Sequence, residues 1–411
     1  MNPEPPGVSL NSISFKLLWW GTFLNTFGVA FSAGAISVLA IQELKLPDSF
    51  VPLMLGFSSI AAALAAIPTS PWVETRKKRP ILIGASFFRG TLLILIATLA
   101  WAEILTFPLL TLCLVLISLS GIVSGAANGV HLRDLVRQED WPRANGKIES
   151  LVWIMSALAT PLGGVVIVAA NPGVVLAVNG AAYVCSGLLI RRIPQQEPPP
   201  APANRARGKE KINEVLAGWR IIFQHRALSG LFLNAMVFGG CLATLAPLLA
   251  VFMLRDLELD ARSLALVLGV PAIAGFAGAR LSGKVSTHLG DRNLLLWACA
   301  ARSIWAPFLA FSPSGVPGLL FILICECGLM FAAGLFNPVF ATYRMQIVDR
   351  ALLARVGSAW PISAALVQPV FLLSGALLVE WLGTRTAIGI IGACMLLCIP
   401  LIPWHAVRAS S

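Results

Sequence analysis

The chain has 411 residues, 57% of them hydrophobic and 12% charged, with a formal net charge of +11 and a mean hydropathy of +0.82. That balance excludes an ordinary soluble domain, because apolar stretches long enough to cross a bilayer, about 20 residues each, recur along most of the length. The basic residues flank these stretches in no nucleic-acid-binding motif, so the charge reads as a topology signal and nucleic acid is not an expected partner.

A polar, proline-rich start gives way at Lys16 to an apolar run with no small-residue cleavage site behind it, which predicts an uncleaved first span over 16–42. Within it, LLWWGTFLNTFGVAFSAGAISVLAIQ contains no acid. A carrier of lipophilic cations needs a buried negative charge to replace lost water contacts, so this favours neutral or anionic cargo. Phe23, Phe27 and Phe31 recur every fourth residue and share one helix face, either lining a cavity or packing on neighbouring helices. Asn25 is a polar cavity candidate on the same span.

Further spans are expected over 50–72, 80–101, 107–130, 144–169 and 173–190, and then over 227–254, 262–286, 294–312, 316–343, 356–380 and 385–404. That makes an all-α membrane protein of twelve transmembrane helices in two sixes, with bundles at 1–190 and 227–411. The stretch between them, 191–226, is a cytoplasmic linker, proline-rich at first and amphipathic from about Lys211 to Phe223. Lys and Arg are retained on the cytoplasmic side. The loops after even-numbered spans hold Arg76, Lys77, Lys78, Arg79, Arg133, Arg137, Arg143, Arg292, Arg344, Arg350 and Arg355, whereas the opposite loops hold Lys45, Arg255, Arg262 and Arg385. Both termini are therefore expected in the cytoplasm.

Several charges fall inside spans. Arg89 lies ten residues beyond Arg79, and Arg302 ten beyond Arg292, which at 1.5 Å per residue places each about halfway through a 30 Å hydrocarbon core. Glu326, ten residues from Val316 on the opposite face, reaches a similar depth. A charge there costs at least about 2.5 kcal/mol. Three readings stay open for Glu326: an ion pair with Arg302 on the preceding helix, a protonatable carboxylate carrying a coupled proton, or direct contact with cargo. For Arg89 the nearest candidate partner is Glu149, with snorkelling or bonds to backbone carbonyls as the alternative. Trp153 and Gln368 are further cavity candidates. In TPLGG (160–164), proline and glycine suit a bent helix and a close helix approach.

The eight cysteines all lie in apolar runs, which leaves no disulfide framework, and no metal cluster or cofactor motif appears. GARLSGKV (278–285) falls short of a nucleotide-binding loop because Val285 replaces the magnesium-binding hydroxyl and the run ends an apolar helix. With no hydrolase elbow or HExxH either, an enzyme is not expected.

A short internal repeat supports the two sixes. TRKKRPILIGASFFRG (75–90) aligns without gaps on HLGDRNLLLWACAARS (288–303), matching Arg79 with Arg292 and Arg89 with Arg302, and Asn128 and Asn337 occupy similar places in the fourth and tenth spans. At these residues the chain resembles the major facilitator superfamily. SPWVETRKKR (70–79) is similar to that superfamily's loop after helix two, with Glu74 for its acid and Lys78 and Arg79 for its basic end, while Ser70 and Lys77 replace its glycines. The second copy, GKVSTHLGDR (283–292), keeps Gly283, Gly290 and Arg292 but has Thr287 where the acid belongs. RPILIGASFFR, RANGKIES, VLAGWRIIFQHRALSGLFL, SGK and ARVGSAW resemble landmarks of the branch containing the enterobactin exporter and macrolide efflux proteins.

The resemblance implies two bundles rocking about a central cavity, with the loops after helices two and eight acting as a cytoplasmic gate. It further implies a monomeric inner-membrane antiporter that exports a siderophore-like or amphiphilic small molecule against protons. Multidrug efflux, uptake, lipid flipping, and a non-transporting receptor are the alternatives.

Overall fold

The computed structural model describes residues 9–137, 140–195, 197, 218–348 and 353–404. The helices are α1 (Ile13–Phe31), α2 (Ala35–Val38), α3 (Phe50–Glu74), α4 (Lys78–Trp101), α5 (Phe107–Leu135), α6 (Trp141–Ala169), α7 (Pro172–Arg191) and a short α8 over 218–224. They continue with α9 (Arg226–Val251), α10 (Ala261–Leu289), α11 (Asp291–Ile304), α12 (Gly315–Ile347), α13 (Leu353–Leu382) and α14 (Thr384–Leu396). Among the described residues, eleven helical segments are long and apolar enough to cross a membrane, and Phe50–Ala65 of α3 forms a shorter apolar helix. The chain is thus an all-helical, multi-pass membrane protein. Helices are the natural outcome, since hydrocarbon offers no partner for a backbone amide and a helix satisfies its own.

Three expected spans are interrupted. The first breaks after Phe31, turns at Gly34 in the left-handed region (φ 81°), and resumes as α2 and a π turn over Leu39–Glu43. The ninth stops at Ile304 and continues as a 3₁₀ helix, Ala306–Phe311, because Pro307 can neither donate its amide nor fit a regular helical turn. The twelfth ends at Leu396 and is followed by a 3₁₀ turn, Ile399–Leu401, that contains Pro400. The amphipathic stretch expected from Lys211 lies largely outside the described residues; its end, over 218–224, is helical.

Backbone proximity divides the chain into two compact units, 1–46 with 57–204, and 47–56 with 205–411. In the first unit α1 packs on α6 and α7, and α4 on α5 and α7. The α1–α6 contact is tight: a Cβ on Gly163 of the TPLGG stretch would come within 1.8 Å of the Phe31 carbonyl oxygen. In the second unit α10 and α12 are the closest pair, and a Cβ on Gly334 would lie 2.1 Å from the Gly275 carbonyl. Small residues let the two backbones meet, which is how helices gain dispersion energy where lipid removes the hydrophobic drive. The start of α3 belongs to this unit: Asp48 pairs with Arg255 and accepts a hydrogen bond from Thr384 at 3.1 Å, and Ser49 donates to Glu380 at 2.6 Å.

Candidate functional site

The matched arginines of the internal repeat both bond backbone carbonyls near the end of their unit. In the first, Arg79 at the start of α4 donates from Nε to the Ile190 carbonyl (3.1 Å) and from its other nitrogens to the carbonyls of Arg191 and Gln195, covering acceptors left open where α7 ends. In the second, Arg292 at the start of α11 donates from Nη2 to the Trp404 carbonyl (2.7 Å), just beyond the last helix. The helix N-termini are neutralised differently. Asp291 begins α11 and accepts from Ser286, so that helix carries its own negative charge at its positive end. The repeat puts Lys78 at the matching place in α4. There Glu197 supplies the charge from the linker, its carboxylate accepting from the backbone amides of Lys78 and, at 3.2 Å, Arg79.

Of the other residues expected at a gate, Gly283 is exposed on α10 and Gly290, with φ 78°, links α10 to α11. The side chain of Glu74 lies outside the described residues, as does that of Glu149.

In the middle of the second unit, Arg302 on α11 is 4% exposed. Its Nη2 donates to Asn234 Oδ1 on α9 at 2.6 Å, and its guanidinium carbon lies 4.1 Å from the ring centre of Phe238 and 4.0 Å from that of Phe336. Asn234, itself fully buried, donates from Nδ2 to the Cys398 carbonyl at 2.8 Å. A charge-assisted bond and two aromatic faces offset part of the cost of burying this cation. The ion pair with Glu326 is not formed: among the described residues no salt bridge joins them. The reason is local. Arg302 turns its Nη2 to Asn234 and its faces to the two phenyl rings, and Glu326 on α12 stands 9% exposed with no hydrogen-bond or ionic partner among the described residues. The sequence signal for Asn234 was present but unused: Phe23–Leu24–Asn25 of the first span reappears as Phe232–Leu233–Asn234.

The first unit holds the matching constellation in a different state. Arg89 on α4 donates from Nε to the Ile117 carbonyl and from Nη1 to Ser124 Oγ, both at 3.4 Å, and lies 5.1 Å from the Tyr183 ring centre. Arg89 borders a cavity of about 260 Å³ whose polar wall is Thr22, Asn25, Ser86, Ser124 and Asn128. Asn25 Oδ1 is buried there without a hydrogen-bond partner.

Phe23, Phe27 and Phe31 form a continuous stack on α1, with ring centres 6.4 and 5.3 Å apart. Phe31 is buried and Phe27 half-buried. Trp153 on α6 and Gln368 on α13 are half-buried, one in each unit. Among the described residues no group of three or more His, Cys, Asp or Glu could hold a metal ion, and the cysteines are unpaired.

Comparison with known proteins agrees with this architecture. The model of the Major Facilitator Superfamily matches residues 18–366. No curated protein matches significantly. Among solved structures, a bacterial homologue of the iron transporter ferroportin in its inward-facing state superposes with a TM-score of 0.74 at 16% identity, over 98% of this chain and all of the other. A mutant of the nucleoside transporter NupG gives 0.73 at 14% identity, over 96% and 100%. A mutant peptide transporter of the POT family in complex with sulfate gives 0.70 at 13%, over 97% and 96%. At these identities the neighbours share the fold and differ in what they carry. With a family model spanning most of its length and the same fold throughout, the chain belongs to the Major Facilitator Superfamily of membrane transporters.

Proposed function

We propose that this transporter is a monomeric antiporter of the inner membrane, with both termini in the cytoplasm, that exports a siderophore-like amphiphilic molecule in exchange for protons. Its bundles are 1–190 and 227–411, joined by the cytoplasmic linker 191–226. Glu326 carries the coupling proton, and the arginine-bearing loops after helices two and eight form the cytoplasmic gate. The observation that supports coupling most is the isolation of Glu326: a carboxyl group buried in α12 with no ionic partner among the described residues, while Arg302, the cation the sequence offers on the preceding helix, bonds to Asn234. A lone carboxyl group can take up and release a proton as its surroundings change, whereas a salt-bridged one is held ionised. The cargo class follows the resemblance of the landmark stretches to the enterobactin exporter and macrolide efflux branch, and the acid-free first span favours neutral or anionic molecules over cations.

Transport into proteoliposomes under an imposed pH gradient tests the reading. An amphiphilic catechol or hydroxamate should move against protons, and lipophilic cations such as tetraphenylphosphonium should not. Strong cation transport would overturn the cargo class, and cargo movement indifferent to the gradient would overturn the coupling.

A further inference from the structure

The internal repeat makes the two units controls for one another. Anchored on Asn25 with Asn234, Arg89 with Arg302, and Asn128 with Asn337, five matching positions share a trend: Thr22 aligns with Leu231, Ser86 with Cys299, Gly121 with Met330, Ser124 with Ala333 and Ala127 with Phe336, while Leu82 and Gly125 align with identical residues and Leu18 with the smaller Ala227. At those five positions the first-unit residue is smaller or more polar than its counterpart. The consequences are visible. In the second unit Leu231, Cys299 and Phe336 belong to a continuous apolar cluster around Arg302, and the asparagine oxygen closes on the guanidinium. In the first unit the half-buried arginine keeps two long 3.4 Å contacts, the asparagine oxygen has none, and about 260 Å³ lies open between α1, α4, α5 and α7, whereas the buried Arg302 makes one short bond to its asparagine and leaves its Nε without a hydrogen-bond partner among the described residues. Buried polar atoms are rarely left this way, and an unsatisfied group of this kind needs an explanation.

We infer that this cavity is an anion subsite for the head group of the cargo, taking a carboxylate that carries a neighbouring hydroxyl. The inference rests on the transport reading above and names the chemistry that the first unit recognises. Arg89 supplies a planar fork for the carboxylate, Asn25 Oδ1 accepts the hydroxyl proton, and Ser124 and Asn128 complete the polar wall. Leu18, Leu82 and Ile190 form the apolar wall against which a ring or short alkyl body rests. The volume falls just below the range of about 300–1,000 Å³ typical of sites for whole drug-sized ligands, so it admits one head group and leaves the rest of a larger molecule outside.

The test is titration calorimetry on the purified full-length protein in detergent with 2-hydroxybenzoate, benzoate and the uncharged 2-hydroxybenzamide. Wild type should bind 2-hydroxybenzoate saturably and at least about tenfold more tightly than the amide. Arg89→Gln should abolish that preference, and Asn25→Ala should erase the advantage of 2-hydroxybenzoate over benzoate while leaving benzoate affinity unchanged. Gly121→Met, which installs the second unit's residue where a Cβ already comes within 2.6 Å of Arg89 Nη2, should block all three ligands and carries the test if Arg89→Gln does not fold. Equal affinity for acid and amide in wild type, or wild-type binding in both Arg89→Gln and Gly121→Met, overturns the subsite. The two readings separate cleanly. Gradient-driven export of an uncharged amphiphile with no anion binding sinks the subsite alone, and Arg89-dependent anion binding with no transport of any tested amphiphile sinks the transport reading alone.

Discussion

Replacing Asn234 with alanine should destabilise the protein far more than the same change at its repeat partner, Asn25. Asn234→Ala removes the 2.6 Å bond to a guanidinium that is 4% exposed, and with it the 2.8 Å bond that satisfies the Cys398 carbonyl. A hydrogen bond to a charged group contributes about 1.5–3 kcal/mol. A neutral interhelical bond in a membrane protein adds on average about 0.6 kcal/mol. The sum, about 2–4 kcal/mol, falls on a cation left with two phenyl faces and a sulfur 3.7 Å away. Asn25→Ala breaks no hydrogen bond at its oxygen and should stay within about 0.5 kcal/mol of wild type. Equilibrium unfolding of the two variants in mixed micelles of increasing denaturing-detergent fraction, followed by circular dichroism, measures both. Equal losses at the two sites, or a loss below about 1 kcal/mol for Asn234→Ala, would refute the claim that the Asn234 oxygen is spent on holding its arginine while the Asn25 oxygen is not.

Other expectations follow from single contacts. Gly163→Ala should lower the unfolding midpoint, by an amount matching about 1–3 kcal/mol of overpacking, because the new methyl meets the Phe31 carbonyl and forces α1 and α6 apart. Glu197→Gln keeps acceptor oxygen but loses the negative charge at the α4 N-terminus, and should cost about 0.3–1 kcal/mol, fading with added salt in the same assay. Arg79→Lys cannot reproduce a fork spread over the Ile190, Arg191 and Gln195 carbonyls, so proteolysis near the end of α7 should accelerate relative to wild type.

Much of the fold was legible because the bilayer enforces a single rule. Each expected span has its helix, and the ends of the fifth, Trp141–Ala169, and sixth, Pro172–Arg191, fall within three residues of the apolar boundaries read from 144–169 and 173–190. What the apolar pattern does not carry is which face of a helix meets which neighbour, since the spans are hydrophobic nearly all round. That is why the Arg302–Glu326 pair, reasonable from position along the two spans, is not formed: position along a span does not fix which way a side chain turns. Asn234, one polar residue in an apolar run, claimed the arginine instead. The sequence does not mark Glu197 for a different reason. It lies in a proline-rich linker whose composition says only that it is not a helix, and its role appears once the end of α7 brings it back to α4. The repeat matches Arg79 with Arg292, and each donates to backbone carbonyls near the end of its unit, Arg79 at the end of α7 and Arg292 at Trp404, beyond α14.

The most direct test of the central claim, that this transporter exchanges cargo for a proton carried by Glu326, is cargo-dependent proton flux. Proteoliposomes loaded with a pH-sensitive dye would be given an amphiphilic catechol on one side, with wild type and Glu326→Gln compared at equal reconstitution and matched stability. The account predicts proton movement opposite to cargo in wild type and its loss in the variant, which still binds cargo. Undiminished proton flux in Glu326→Gln would contradict it.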